Sequence, residues 1–251
     1  MKEIAGLAAL LSGAHRILIF TGAGMSTASG IPDYRGPQGV WKTRRPVYYQ
    51  DFMSSEEARA TYWRQKWEDH QEFRGAQPNP AHEAVVALER AGKVEMVVTQ
   101  NVDGLHAAAG TSDAKLLEIH GTTRLVECQQ CGARSDPEPH FETFHQTGHC
   151  PLCGCGGFLK SATISFGQNL RGVDLGRAYA AAENADLALS LGSSLVVYPA
   201  ADIPMRAAAT GAGYVIVNQG ETDHDGNRLV TLRIEGDVTE ILPEAVRLAL
   251  A

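Results

Sequence analysis

The residues able to do chemistry stand in short polar signatures, each at the end of an apolar run. The richest is Thr21-Gly22-Ala23-Gly24-Met25-Ser26-Thr27-Ala28-Ser29-Gly30-Ile31-Pro32-Asp33-Tyr34-Arg35-Gly36, after Ile17-Leu18-Ile19-Phe20. Glycines behind a buried strand let backbone amides approach a pyrophosphate at a helix N-terminus, where the dipole favours an anion. The third glycine of the usual dinucleotide fingerprint is missing, because Gly24-Met25-Ser26 leads to Thr27, and no acidic ribose clamp ends the next strand. A plain dehydrogenase is therefore disfavoured. In the continuation, Arg35 can hold phosphate and Tyr34 can cover a ring or a reactive carbon.

Two further signatures supply proton chemistry and metal ligation. His120 ends the run Leu116 to Ile119 and precedes Gly121. A neutral imidazole, with an ordinary pKa of about 6.5, suits a general base near neutrality. His106, in Asp103-Gly104-Leu105-His106, reads as structural. Cys128-x2-Cys131 and Cys150-x2-Cys153, eighteen residues apart, have zinc-ribbon spacing. Four thiolates leave no open position, so such a zinc is structural. The fifth cysteine, Cys155, is left over on spacing alone.

Positioning these groups requires a sheet. Runs at Ile17 to Phe20, Val94 to Val98, Leu116 to Ile119, Leu187 to Leu191, Tyr214 to Val217 and Leu229 to Ile234 read as strands. Their polar exits include Thr99-Gln100-Asn101-Val102-Asp103, Gly192-Ser193-Ser194, Asn218 and Gly236-Asp237. In an open parallel sheet these exits converge on one crevice at the carboxyl ends of the strands. Helices are expected over Ile4 to Ser12, His82 to Ala91 (stopped by Gly92), Gly104 to Ala109, Ala178 to Ala185, Pro199 to Ala209 and Val238 to Leu250. Strands alternating with helices indicate an α/β fold, a doubly wound parallel-sheet Rossmann-like domain. Segments 1–36, 81–122 and 161–251 are assigned to it. Residues 37–80, rich in Trp41, Tyr48, Tyr49, Phe52, Tyr62, Trp63, Trp67 and Phe73, read as a helical insertion whose aromatics mainly pack its own core, with some lining a groove. Residues 123–160 read as a zinc-binding module, and the two together as a smaller domain.

Composition narrows the class. With 251 residues a sizeable core can form. Lys and Arg number 22 against 29 Asp and Glu, a net charge of −7, which gives no support to nucleic-acid binding through a basic face. No segment approaches the roughly 18 apolar residues of a membrane span. The start, Met1-Lys2-Glu3-Ile4, lacks a cationic leader region, and the localised cysteines do not resemble a secreted disulfide framework. The cytoplasm is the expected address, and a monomer the default state.

Taken in order, Gly22-Ala23-Gly24-x-Ser26-x-x-Ser29-Gly30-Ile31-Pro32-Asp33-x-Arg35, Thr99-Gln100-Asn101-x-Asp103-x-Leu105-His106, His120-Gly121, Gly192-Ser193-Ser194-Leu195-x-Val197-x-Pro199-Ala200 and Asn218 resemble the sirtuin family of NAD-dependent protein deacylases. The resemblance covers nearly the whole chain. It implies NAD as co-substrate, one structural zinc, acyl-lysine proteins or peptides as substrates, and release of nicotinamide and O-acyl-ADP-ribose. By resemblance, Gly22, Ala23, Gly24, Thr27, Asp33, Tyr34, Arg35, Trp41 and Gln100 line the cofactor. Asn101 orients the ribose or a water, Asp103 binds the nicotinamide amide, and His120 is the base. Ser193, Asn218 and Asp237 contact the adenosine half, and Gly192 and Ser194 also bind the cofactor. Phe166, Gly167 and Val196 belong to the two segments that sandwich an extended substrate as an added strand.

The same resemblance leaves the fourth zinc ligand as Cys153 or Cys155, since Cys155 stands just before Gly156-Gly157-Phe158-Leu159-Lys160; the x2 spacing favours Cys128, Cys131, Cys150 and Cys153. Departures from the family pattern are Tyr34, Ser193, Gln168 and Ser161-Ala162-Thr163-Ile164. Tyr62-Trp63-Arg64 and Pro78-Asn79-Pro80-Ala81-His82 resemble the class II branch. The Tyr-x-x-Arg pair associated with dicarboxylic acyl groups is absent, Gln65 standing where Arg is needed, so acetyl or longer neutral acyl groups are preferred. Rival readings are protein mono-ADP-ribosyl transfer, hydride transfer, and a zinc-ribbon binding module on a relict Rossmann domain.

Overall fold

A computed structural model describes residues 2–36 and 39–251. Met1, from the expected N-terminal reading, and Pro37 and Gln38, the first residues of the expected insertion, lie outside the described residues. Helix α1 (Lys2–Gly13) leads to β1 (Ile17–Thr21), then α2 (Tyr49–Ser54), α3 (Glu56–Phe73), α4 (Pro80–Arg90), β2 (Val94–Thr99), α5 (Leu105–Ala109) and β3 (Leu116–Glu118). Next come β4 (Gly121–Cys128), β5 (Arg134–Ser135), α6 (Glu138–Thr147) and β6 (Leu159–Thr163). Last are α7 (Gly172–Asn184), β7 (Leu187–Leu191), α8 (Asp202–Ala209), β8 (Gly213–Asn218), β9 (Leu232–Glu235) and α9 (Val238–Ala249).

All six expected strands join one sheet in the order β3-β2-β1-β7-β8-β9, and every neighbouring pair is parallel. Both faces are buried, so the strands read as continuous apolar runs. Period-two alternation sends Ile17 and Ile19 to one face, against Leu7 and Leu11 of α1, Val85 and Leu88 of α4, and Leu242 of α9. Leu18 and Phe20 go to the other, against Ala178 and Ala182 of α7 and Ile203 and Ala207 of α8. Each fully buried aliphatic side chain contributes roughly 1.5–3 kcal/mol, so β1 anchors both cores. The last strand starts at Leu232 rather than Leu229, because Asn227 turns the chain there: its Oδ1 accepts from Leu229 N at 3.0 Å and its carbonyl from Val230 N at 3.0 Å.

The strand order is that of a Rossmann sheet, with its direction of growth reversing between β1 and β7. A crevice must open there, outside the carboxyl ends. At the other end of α4, Asn79 starts the helix: its Oδ1 accepts from Ala81 N at 3.0 Å, and its own N–H donates to His82 Nδ1 at 3.3 Å.

A second, antiparallel sheet has the order β5-β4-β6. Three of the insertion's aromatics pack on one another, as expected, and also on this sheet. Phe52, Tyr62 and Trp63 join Val126, Leu159 and Phe141 in one cluster, and Trp63 Nε1 donates to the Leu159 carbonyl at 3.2 Å. Neither segment is large enough to bury those rings alone. Strands β4 and β6 extend from Gly121 to Thr163 and so run across the expected boundaries at 122 and 161. No helix among the described residues is long and apolar enough to cross a membrane.

Candidate active site

The two glycine loops at the reversal point touch. Gly24 N donates to Gly192 O at 2.8 Å, and Gly22 N to Leu191 O at 3.0 Å. A Cβ on Gly22 would lie 2.7 Å from Gly192 O, and one on Gly192, whose φ is +61°, only 2.4 Å from Met25 N. The glycines thus allow the exits of β1 and β7 to meet as bare backbone, forming the floor of a cleft of about 1870 Å³.

One wall carries Ala23, Thr27, Asp33, Tyr34, Arg35 and Trp41, and the facing stretches carry Gln100, Asn101, His120, Ser193, Ser194, Asn218 and Asp237. Phe166, Gly167 and Val196 line the same cleft. The Arg35 guanidinium lies 4.1 Å over the Trp41 ring, and burial lowers its pKa. Tyr34 and Phe166 each stand 5.1 Å from Trp41, centroid to centroid, tying the first loop to the 166–167 segment. Among the described residues no carboxylate pairs with Arg35, so its charge is available to an anion in the cleft. At the far end, Asp237 caps α9 by accepting from Thr239 N at 2.8 Å, and Asn218 Nδ2 donates to the Gly220 carbonyl at 3.0 Å.

The hydrogen bonds assign the polarity of the central groups. Asn101 Nδ2 donates to Gly22 O at 3.0 Å and to Ser26 Oγ at 3.1 Å, which uses both amide hydrogens and leaves Oδ1 as an acceptor. His120 Nδ1 lies 3.1 Å from the Gln100 carbonyl, which can only accept, so the proton sits on Nδ1 and the lone pair on Nε2. Burial pushes the His120 pKa down, against a smaller upward pull from that carbonyl. Gln100 is held in turn: its Nε2 donates to Ser193 Oγ at 2.8 Å and its N–H to Thr21 O at 2.9 Å. A neutral base, an acceptor for a hydroxyl or water, and a cation for phosphate therefore share one cleft.

Asp103, expected at the nicotinamide amide, is half-buried beside the cleft and is held by two hydrogen bonds. Its Oδ2 accepts from Ser26 Oγ at 2.8 Å and its Oδ1 from Leu105 N at 2.9 Å. Gly104, at φ +77°, turns the chain so that this carboxylate caps α5. Sequence reasoning gave no role to Ser26, which links Asp103 to Asn101 and is 1 % exposed. It also passed over Lys66 and Asp69 of α3, which line the cleft beside Tyr62 and Gln65. The spacing 62, 65, 66, 69 puts one helical face there, a signal hidden by reading the insertion as self-packing.

The cysteines depart from expectation at one position. Sγ atoms of Cys128, Cys131, Cys153 and Cys155 all lie within 4.8 Å of one another, and Cys150 is outside the group. The cause is a hairpin tip: Leu152 bridges Phe158, Cys153 N donates to Gly157 O at 2.9 Å, and Gly156 (φ +84°) turns the chain. That geometry points Cys153 and Cys155 back together, while Cys150 packs against the apolar cluster of the small sheet, where burial raises its pKa. The separations Cys128–Cys155 of 3.6 Å and Cys131–Cys153 of 3.7 Å suit a tetrahedron with metal–sulfur bonds of about 2.3 Å, whose edges are roughly 3.8 Å. The amides of Cys131 and Gln130 hold the Cys128 thiol down to about 6, towards the thiolate a metal needs.

The Sir2 family model matches residues 22–199, which include the glycine loop, Asn101, His120 and the cysteine cluster. The chain belongs to the Sir2 family. As a Sir2 protein it is 40% identical over 234 residues to an NAD-dependent protein deacetylase of Rhodopseudomonas palustris, covering 93% of this chain and 92% of that one. A solved Sir2 enzyme superposes with a TM-score of 0.88 at 36% identity, covering 99% of this chain and 98% of its own. A Sir2 complex with p53 peptide and NAD+ gives a TM-score of 0.82 at 35% identity, with 95% of each chain covered. The Sir2 fold thus accounts for both the six-stranded sheet and the smaller sheet with its cysteines.

Proposed function

We propose that this chain removes acetyl groups from lysine side chains of proteins in an NAD-dependent reaction that releases nicotinamide and O-acetyl-ADP-ribose. The observation that carries the reading is the placing of His120 Nε2, Asn101 Oδ1 and Arg35 in one cleft whose floor is the touching glycine loops. NAD, when bound, supplies an electrophilic ribose carbon from which nicotinamide departs and onto which the acyl oxygen is transferred.

The chain's residues hold and activate around that carbon. Arg35, with no carboxylate partner among the described residues, binds phosphate, and the bare loops at Gly22–Gly24 and Gly192 let backbone come close to it. Ser193, Asn218 and Asp237 serve the adenosine end. Asn101 Oδ1 accepts from a ribose hydroxyl or a water, and His120 Nε2 takes the proton from the hydroxyl that advances the reaction. Asp103 acts from behind, through Ser26. An extended peptide lies between the 166–167 segment and Val196, which is 42 % exposed. At the wall formed by α3, Lys66 Nζ lies 3.0 Å and Arg44 Nη1 2.8 Å from Asp69, so both cations are already paired and a neutral acyl group is preferred. Cys128, Cys131, Cys153 and Cys155 hold one structural zinc. Reduced thiolates suit the cytoplasm.

The test is incubation of the purified protein with NAD and an acetyl-lysine peptide, read by mass spectrometry. Loss of the acetyl mass from the peptide with equimolar nicotinamide is expected. ADP-ribose attached to peptide or enzyme, with the acetyl group retained, would overturn the reading.

A further inference from the structure

Beneath the cleft lies a buried polar line that the reaction as described does not use. His82 is fully buried and His106 is 2 % exposed; their rings stand 4.9 Å apart, centroid to centroid, tilted by 64°. His106 Nε2 is 3.1 Å from Thr21 Oγ1, and Thr21 Oγ1 is 2.8 Å from Thr99 Oγ1. Thr99 Oγ1 accepts the Asn101 N–H at 3.0 Å. That N–H belongs to the same peptide unit as the Gln100 carbonyl, which accepts from His120 Nδ1 at 3.1 Å.

The protons in this line can be assigned. His82 Nδ1 accepts from Asn79 N, so His82 carries its proton on Nε2. The only ring atoms of the pair left without a partner are His82 Nε2 and His106 Nδ1. With the His106 proton on Nδ1, two unpaired N–H groups would be buried in adjacent rings. With it on Nε2, only one buried N–H of the pair is left unpaired. His106 Nε2–H then donates to Thr21, and the Thr21 hydroxyl donates to Thr99.

We infer that His106, backed by His82, is a positioning residue for His120, acting through Thr21, Thr99 and the 100–101 peptide plane. The plane is gripped at both edges, its N–H by Thr99 and its C=O by His120. Its orientation therefore keeps the His120 proton on Nδ1 and the lone pair on Nε2, facing the cleft. Both buried rings are neutral at working pH. Burial lowers His82 to about 4 against an upward pull from Asp103, and lowers His106 to about 3, with His82 adding to the effect. The line thus adds no charge beneath the site. It supplies direction.

This inference rests on the reading of His120 as the base, and its main readout does not require turnover. Protein labelled with 15N-histidine is compared as wild type, Thr99→Val and Thr99→Ser. In wild type His120 is expected to be the Nδ1–H tautomer, with His82 and His106 both Nε2–H. In Thr99→Val, which removes the hydroxyl at constant shape, His120 shifts towards Nε2–H. Nicotinamide release then falls about tenfold in kcat, with KM for NAD within about twofold. Thr99→Ser, which keeps the hydroxyl, restores both. An unchanged His120 tautomer in Thr99→Val, or a Thr99→Ser variant as impaired as Thr99→Val, would overturn the inference. Should Thr99→Val fail to fold, the wild-type spectrum decides, because a His106 proton found on Nδ1 breaks the line.

Discussion

His120 can accept a proton only through Nε2, because the Gln100 carbonyl claims the other ring nitrogen. Burial disfavours the imidazolium, so the competent neutral form persists below the ordinary histidine pKa of about 6.5. The acid limb of kcat/KM, followed by nicotinamide release, should therefore have its midpoint below that value. Activity is retained as pH falls through 6.5 and lost only as the lowered pKa is crossed. A midpoint at or above 6.5 assigned to His120 would contradict the burial argument. His120→Ala should lower turnover on the order of 10²–10⁴-fold with the fold intact by circular dichroism. His120 was legible in the sequence, since a histidine between a buried run and a glycine must sit at a strand exit. The polarity of Asn101 was not, since which amide atom faces the cleft depends on Gly22 O and Ser26 Oγ, two contacts made across the fold.

The loops after β1 and β7 work as a pair. Each is glycine-rich for the sake of the other as much as for a ligand, because added Cβ atoms would strike backbone, which cannot rotate away. Gly192→Ala combines a left-handed φ of +61° with a 2.4 Å clash on Met25 N. Gly30→Ala has φ +85° but nothing within 4 Å of its Cβ. The second change should cost only the backbone strain, on the order of 1–2 kcal/mol. The first should cost clearly more and weaken NAD binding at least tenfold. Thermal unfolding and calorimetric titration with NAD separate the two, and equal unfolding temperatures would show that loop contact adds nothing.

The whole molecule divides its stability between apolar burial and sulfur. The large sheet is covered on both faces, by α1, α4 and α9 on one side and α7 and α8 on the other. The small sheet has few such residues, and Cys128 belongs to its cluster. A structural zinc contributes on the order of 10 kcal/mol to such a site. Cys155→Ser should therefore lose the metal and lower the unfolding temperature, whereas Cys150→Ser should retain one zinc per chain by elemental analysis. The reverse pattern would return Cys150 to the ligand set. Loss of zinc should leave the circular dichroism of the large sheet's helices less affected than the packing of Trp63 and Trp67, observed by tryptophan fluorescence.

Local signals alone determined six strands, their parallel sheet, the glycine loop and the polar stretches that leave the strand ends. Continuous apolar runs and chain punctuation act between neighbours and can be read along one line. Four things needed the folded chain. Phe52, Tyr62 and Trp63 of the insertion share one core with the second sheet as well as packing on one another. Asp103 takes Ser26 as a partner. Cys155 replaces Cys150 because a hairpin turn, not an interval in the chain, decides which sulfurs meet. The buried histidine line joins residues 82, 106, 21 and 99, whose contacts no spacing rule encodes. Such contacts depend on how the elements dock against each other, and a one-dimensional pattern records which residues are apolar or polar but not which partner each will find.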